Sequence, residues 1–261
     1  MEKYDRIGLA YNQTRTADPY LASQLRRFLN PKPNGIYLDV GCGTGNYTVA
    51  LAARGGKFIG LDPSEQMLSQ AQLKPTEVKW IQGKAESIPL PDGHLDGVVG
   101  TLTLHHWKDL PAGFREIHRV LKPGGRLVFF TASPEQMQGY WLNHFFPKML
   151  EASIMQMPTL ETLQQAIQLA GLTFEQIHPY SIQPDLQDLF LYCGKDLPER
   201  YLNPAIRSGI SSFADLALAD EVAHGLSALE AAIDSGEIDA IRTSYDHDLG
   251  DYLFFTANKP I

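Results

Sequence analysis

Two carboxylates and a run of spaced glycines are the residues of this chain best arranged to do chemistry. Asp39, Gly41, Gly43 and Gly45 follow the apolar stretch Ile36-Tyr37-Leu38 and precede an amphipathic run from Tyr47 to Arg54. Strand, glycine turn and helix in that order form a cradle for a nucleotide-like ligand. Without a Cβ at the three glycines, the backbone can turn tightly and a ligand can lie against it. Asp39, at the end of the strand, can reach an ammonium group of that ligand. Asp62 closes the next apolar stretch, Lys57-Phe58-Ile59-Gly60-Leu61, one helix and one strand later. Its carboxylate is expected beside the loop at the carboxyl edge of the sheet, where it can accept from both hydroxyls of a ribose. Plainer readings exist for both features. The loop can be a tight turn without a ligand, and Asp62 can cap the helix opened by Ser64 and Glu65.

The adjacent pair His105-His106 invites a metal or proton-transfer reading. Neighbouring residues do not face one another on a helix, and no third ligand lies nearby, so no metal site is expected. One ring acting as a general base and both rings packing around a loop remain the alternatives. Asp246-His247-Asp248 reads as a solvated acidic turn. Tyr140, Trp141, His144, Phe145 and Phe146 form an aromatic patch that is either core or the wall of a pocket. Trp141 and Phe145 are carried as substrate contacts on the second reading.

The elements that must position these groups alternate. Strands are read at 36–40, 57–62, 78–83, 95–101 and 126–130. Helices follow the glycine loop, Asp62 and Trp107, and an earlier one starts at Asp18-Pro19, a cap followed by proline at the first helical position. Five strand–helix units in succession make an α/β, doubly wound sheet. Beyond Ser133 the alternation lapses. Thr159 caps a further helix ended by Gly171, 172–182 reads as a strand, and 251–257 closes the chain as an apolar strand. Between these last two strands, residues 184–244 read as helical, over 186–192, 201–206 and 213–233.

A length of 261 residues and 44% hydrophobic composition support one large domain or a domain with an insert. The net charge of −8, without a long basic run, argues against nucleic acid as a main partner. Cys42 and Cys193 offer no disulfide framework, and Cys42 is a small filler within the loop. No apolar run nears the ~20 residues of a spanning helix and no signal segment is read at the N-terminus, so a cytoplasmic protein without membrane contact is expected.

The pattern Asp-x-Gly-x-Gly-x-Gly resembles motif I of the class I S-adenosylmethionine-dependent methyltransferases, small-molecule type. A dinucleotide fingerprint would need Gly-x-Gly-x-x-Gly, and its sixth position is Asn46, which disfavours an NAD-dependent oxidoreductase. Gly60-Leu61-Asp62-Pro63-Ser64-Glu65-Gln66-Met67-Leu68 is similar to motif II. Glu116-Ile117-His118-Arg119-Val120-Leu121-Lys122-Pro123-Gly124-Gly125 resembles the family's Glu-x-x-Arg-Val-Leu-Lys-Pro-Gly-Gly. The resemblance covers residues 36–131 and, more loosely, 1–35, 159–182 and 250–258. It implies a Rossmann-like seven-stranded sheet whose last strand runs antiparallel beside the fifth. It also implies S-adenosylmethionine as cofactor. Asp39, Gly41, Cys42, Gly43 and Asn46 would hold the methionine end, and Asp62 the ribose. Pro63, Met67, Ala85 and Glu86 would lie by the adenine, with Thr101 at the end of the fourth strand. Lys84 departs from the pattern, standing where the family shows an adenine-binding aspartate. Residues 1–35 would form an N-terminal lid and helix, Tyr11 and Arg15 closing on the methionine end and Tyr4 meeting the substrate. Residues 36–183 and 245–261 would be the cofactor domain, and 184–244 a helical cap over it. The function implied is methyl transfer to a small-molecule acceptor by in-line displacement. A cofactor-binding regulator without transfer activity is the alternative.

Overall fold

The computed structural model describes residues 14–261. Helix α1 (Pro19–Leu29) begins where Asp18 accepts the Leu21 amide at 2.8 Å and Pro19 fixes the first turn. It buries Leu21, Ala22, Leu25 and Leu29 and stops at Asn30 in the left-handed conformation. There follow β1 (Ile36–Val40), α2 (Asn46–Ala52), β2 (Lys57–Asp62), α3 (Glu65–Gln72), β3 (Lys79–Gln82) and β4 (Leu95–Thr101). Next come α4 (Leu110–Val120), β5 (Leu121–Thr131), α5 (Pro134–Gln138), α6 (Pro147–Met155), α7 (Leu160–Leu169) and β6 (Thr173–Tyr180). The chain ends with α8 (Pro204–Ser208), α9 (Ala219–Ser235), α10 (Glu237–Ser244) and β7 (Tyr252–Asn258).

The seven strands form one sheet in the order β3-β2-β1-β4-β5-β7-β6. The first five pair in parallel, and β7 runs antiparallel between β5 and β6. The expected doubly wound sheet with a reversed last strand is thus the observed fold. Side chains alternate across it. Phe129 and Phe255 stack at 5.4 Å in the core under α4 and α7, while Phe130 and Phe254 meet at 4.9 Å in the core shared with α1 and the cap.

The cap differs from expectation in two ways. First, it is built from two stretches. Residues 132–157 pack against the segment between β6 and β7: Ser153 Oγ donates to Ser212 Oγ at 2.8 Å, and the Tyr140 and Tyr201 hydroxyls meet at 2.6 Å. Second, 186–192 is not a helix. Its backbone donors are drawn to tertiary partners instead, Gln187 N–H to the Asp18 carboxylate at 3.1 Å and Leu189 N–H to the Thr14 carbonyl at 3.1 Å. The stretch read as one helix over 213–233 is a π turn at Ser212–Leu216, a break, and then α9. No helix of the described residues is long and apolar enough to cross a membrane.

Candidate functional site

The carboxyl ends of β1, β2 and β4 open into a cleft of about 360 Å³ roofed by the cap. The glycine loop forms one wall. Gly41 has φ 71°, and a Cβ there would fall 2.0 Å from Thr103 Oγ1, so only glycine lets the chain pass under that residue. Gly43, at φ 54°, has no atom of the described residues, its chain neighbours aside, within 4 Å of where its Cβ would stand. The backbone there presents an open face to the cleft.

Asp62 is the hinge of this wall. Its Oδ2 accepts the Gly43 amide at 2.8 Å and its Oδ1 the Ser64 amide at 2.9 Å. The carboxylate therefore ties the loop to the end of β2, and it lines the cleft while doing so. Its alternative role, helix capping, belongs to Ser64, whose hydroxyl accepts the Met67 amide at 3.3 Å. Pro63, Met67, Lys84, Ala85 and Glu86 continue the same wall. Glu86 is held by the amides of Lys108 at 2.7 Å and Asp109 at 3.3 Å. Thr101, His105 and His106 close the floor. Thr101 Oγ1 is buried there with no hydrogen-bond partner among the described residues. The two imidazole centres lie 3.9 Å apart with the rings tilted by 51°.

Arg15 also lines the cleft, but its guanidinium is engaged: it grips Asp188 with two nitrogens, at 2.5 and 3.3 Å. Asp188 is buried and accepts the Tyr47 hydroxyl at 3.0 Å as well. Three expected contacts of the loop lie outside the cleft lining. Asp39 is buried behind the loop, where its carboxylate accepts the Thr48 hydroxyl at 2.6 Å. Burial, opposed by that bond and aided by the charge of Asp62, pushes its pKa up to about 7. Cys42 turns its sulfur toward Gly60, and burial raises its thiol pKa well above the ordinary value. Asn46 spans from the Arg15 carbonyl, at 2.8 Å, to Lys74 Nζ, so it braces the loop from outside.

Two expected substrate contacts are corrected. Trp141 and Phe145 are buried in the core of the cap, with the indole N–H given to the Lys195 carbonyl at 3.2 Å; neither reaches the cleft. Aromatics at that spacing were serving packing. Tyr4 and Tyr11 lie outside the described residues. The cap wall is instead made by residues that the sequence did not single out, among them Met137, Ser153, Gln156, Phe190, Tyr192, Ser212, Leu216 and Tyr252, together with Met157. No local pattern marks them. Among the described residues no group of His, Cys, Asp and Glu could hold a metal ion.

A family profile described as a methyltransferase domain matches residues 38–129. Demethylmenaquinone methyltransferase of Bacillus licheniformis is 32% identical over 180 residues, which is 59% of this chain and 78% of that protein. A malonyl-[acyl-carrier protein] O-methyltransferase of Serratia marcescens is 29% identical over 135 residues, 52% of this chain and 53% of that one. Among solved structures, a protein of Anabaena variabilis, provisionally described as a methyltransferase of an antibiotic biosynthesis pathway, is 33% identical. It superposes with a TM-score of 0.83 over 94% of this chain and 98% of that one.

Proposed function

Because the chain belongs to the class I S-adenosylmethionine-dependent methyltransferases, we propose that it methylates a small molecule seated between the glycine loop and the cap. The cofactor, when bound, supplies a methyl group made electrophilic by its sulfonium. The residues present fit it. The open face at Gly43 offers room where a side chain would intrude, and Thr101 Oγ1 is a buried polar atom in need of a partner. The observation that carries the reading is the placement of Asp62 and the Gly43 backbone on one cleft wall, already bonded to each other.

In this reading Gly41 and Gly43 border the methionine end, and Asp62 receives the ribose. A carboxylate offers about four acceptor sites, and the bonds from the Gly43 and Ser64 amides orient this one. Pro63 and Met67 pack by the adenine, with Ala85 and Glu86 at its edge. In-line transfer asks the protein mainly to align the acceptor and exclude water, and the cap supplies both. His105 and His106, on the floor, are the groups placed to take a proton from the acceptor. The division into a cofactor domain and a cap centred on 184–244, and a cytoplasmic location without nucleic-acid partners, belong to the same proposal. The names of the relatives point to two kinds of acceptor, a quinone precursor and a carrier-bound malonyl group.

Calorimetry with S-adenosylhomocysteine tests the site. Micromolar binding is expected, weakened about 10- to 100-fold by Asp62→Ala, which removes charge-assisted bonds. No binding, or binding indifferent to Asp62, would count against the assignment. Methylated product in single-turnover mixtures with an acceptor panel would exclude a regulator without transfer activity.

A further inference from the structure

The two walls of the cleft differ in charge, and the difference selects a substrate. On the cofactor side stand Asp62, Lys84, Glu86, His105 and His106. The cap side is lined by Met137, Met157, Phe190, Tyr192, Leu216 and Tyr252 with a few small polar groups, and among the described residues it carries no acidic, basic or histidine side chain. Arg15 also lines the cleft, and its guanidinium carbon stands 6.0 Å from the Phe190 ring centre. Its charge is answered by the buried carboxylate of Asp188 at 2.5 Å. An anionic acceptor on this side would be stripped of water with no opposite charge to meet it.

The few polar groups there are also specific. Ser153 Oγ donates to Ser212 Oγ at 2.8 Å, which leaves the Ser212 hydroxyl proton for a further partner. Gln156 gives its Nε2 to the Ala152 carbonyl at 3.3 Å, which leaves its amide oxygen as an acceptor. The donor at Ser212 and the acceptor at Gln156, among aromatic and thioether walls, suit a hydroxyl, which both gives and takes a hydrogen bond. Flat rings suit the methionine and aromatic surfaces around it.

We propose that the cap half of the cleft binds a neutral, ring-bearing acceptor with a hydroxyl group, and discriminates against carboxylates of the same size. This rests on the methyltransferase reading above. It separates the two kinds of acceptor suggested by the relatives, in favour of the uncharged one.

The test uses the full chain saturated with S-adenosylhomocysteine and titrated with 2-naphthol, neutral at pH 7, or with 2-naphthoate. Naphthol should bind at least tenfold tighter. Leu216→Trp, at a half-buried position of the cap wall, should weaken naphthol at least tenfold and leave S-adenosylhomocysteine affinity unchanged. Leu216→Arg should reverse the preference by supplying the missing cation. Ser212→Ala should weaken naphthol roughly three- to tenfold. Equal or tighter binding of naphthoate overturns the proposal. So does naphthol binding that ignores both Leu216 substitutions, or absence of naphthol binding while S-adenosylhomocysteine still binds. If S-adenosylhomocysteine itself fails to bind the unaltered protein, the underlying site assignment falls and this inference falls with it.

Discussion

The two halves of the cleft are held together by different means. The cofactor wall is fixed by backbone geometry: left-handed glycines, amides given to Asp62, strand ends in parallel register. The cap wall is fixed by side chains reaching across long stretches of sequence. Gln136 Nε2 donates to the carbonyls of Leu249, Gly250 and Tyr252 at 2.7 to 3.2 Å, and Glu221 accepts the Lys148 amide at 2.7 Å. A grip made of backbone tolerates change in the surrounding side chains and suits a ligand shared by a whole family. A wall made of side chains can be rewritten residue by residue and suits a ligand peculiar to one member. The family profile ends at residue 129, just before the cap begins.

The contrast can be broken most severely at Gly41. Valine there would be forced into φ 71° and against Thr103. Gly41→Val should weaken S-adenosylhomocysteine by about a thousandfold, roughly 4 kcal/mol, in a calorimetric titration. Phe145→Ala should act in the opposite manner, on stability alone. A cavity in the cap core should cost about 3 kcal/mol by urea unfolding, with acceptor KM unmoved because the ring does not reach the cleft. A large KM change would return Phe145 to the pocket wall. Asp188→Asn keeps the shape but removes the charge that answers Arg15. It should destabilise by about 2 kcal/mol and raise acceptor KM more than it weakens S-adenosylhomocysteine, since Asp188 anchors the cap side.

The last effect is a pH dependence at Asp39. Its folded-state pKa of about 7 lies above the ordinary carboxylate value of 3.8, so the folded protein holds that proton more tightly than the unfolded chain. The associated stability is complete in acid and is lost as pH climbs from about 4 to about 7. Asp39→Asn has no such loss. Its Tm advantage over the unaltered protein should widen across that interval and level off above it. An unchanging difference from pH 4 to 8 would mean that Asp39 is ionised in the folded protein throughout.

The sheet and the cofactor wall were legible because their signals are local. Gly41, Gly43, Asp62, Pro63, Met67, Ala85, Glu86, Thr101, His105 and His106 all line one cleft, from strand ends, the loops behind them or, for Met67, the first turn of α3. Asp39 stands one residue of alternation from the cleft lining: its neighbour Val40 lines the cleft, while Asp39 faces Thr48 on α2. Arg15 lines the cleft, but its partner Asp188 stands 173 positions away, beyond any spacing rule. The cap was opaque for the same reason. The stretch 186–192 reads as helical, yet Asp18 and Thr14 claim the amides of Gln187 and Leu189. Aromatic density at 140–146 announced burial without saying on which side of the wall.

The position of β7 bears on how the protein is made. Because this strand slots between β5 and β6, nascent chain emerging from a ribosome cannot complete its sheet when β6 appears. The whole cap must be synthesised first, leaving β5 with an unpaired flank and Phe129 and Phe130 without the rings of Phe254 and Phe255. During that interval the exposed strand edge invites pairing with other chains, so translation speed through the cap and chaperone supply should govern the yield of folded enzyme.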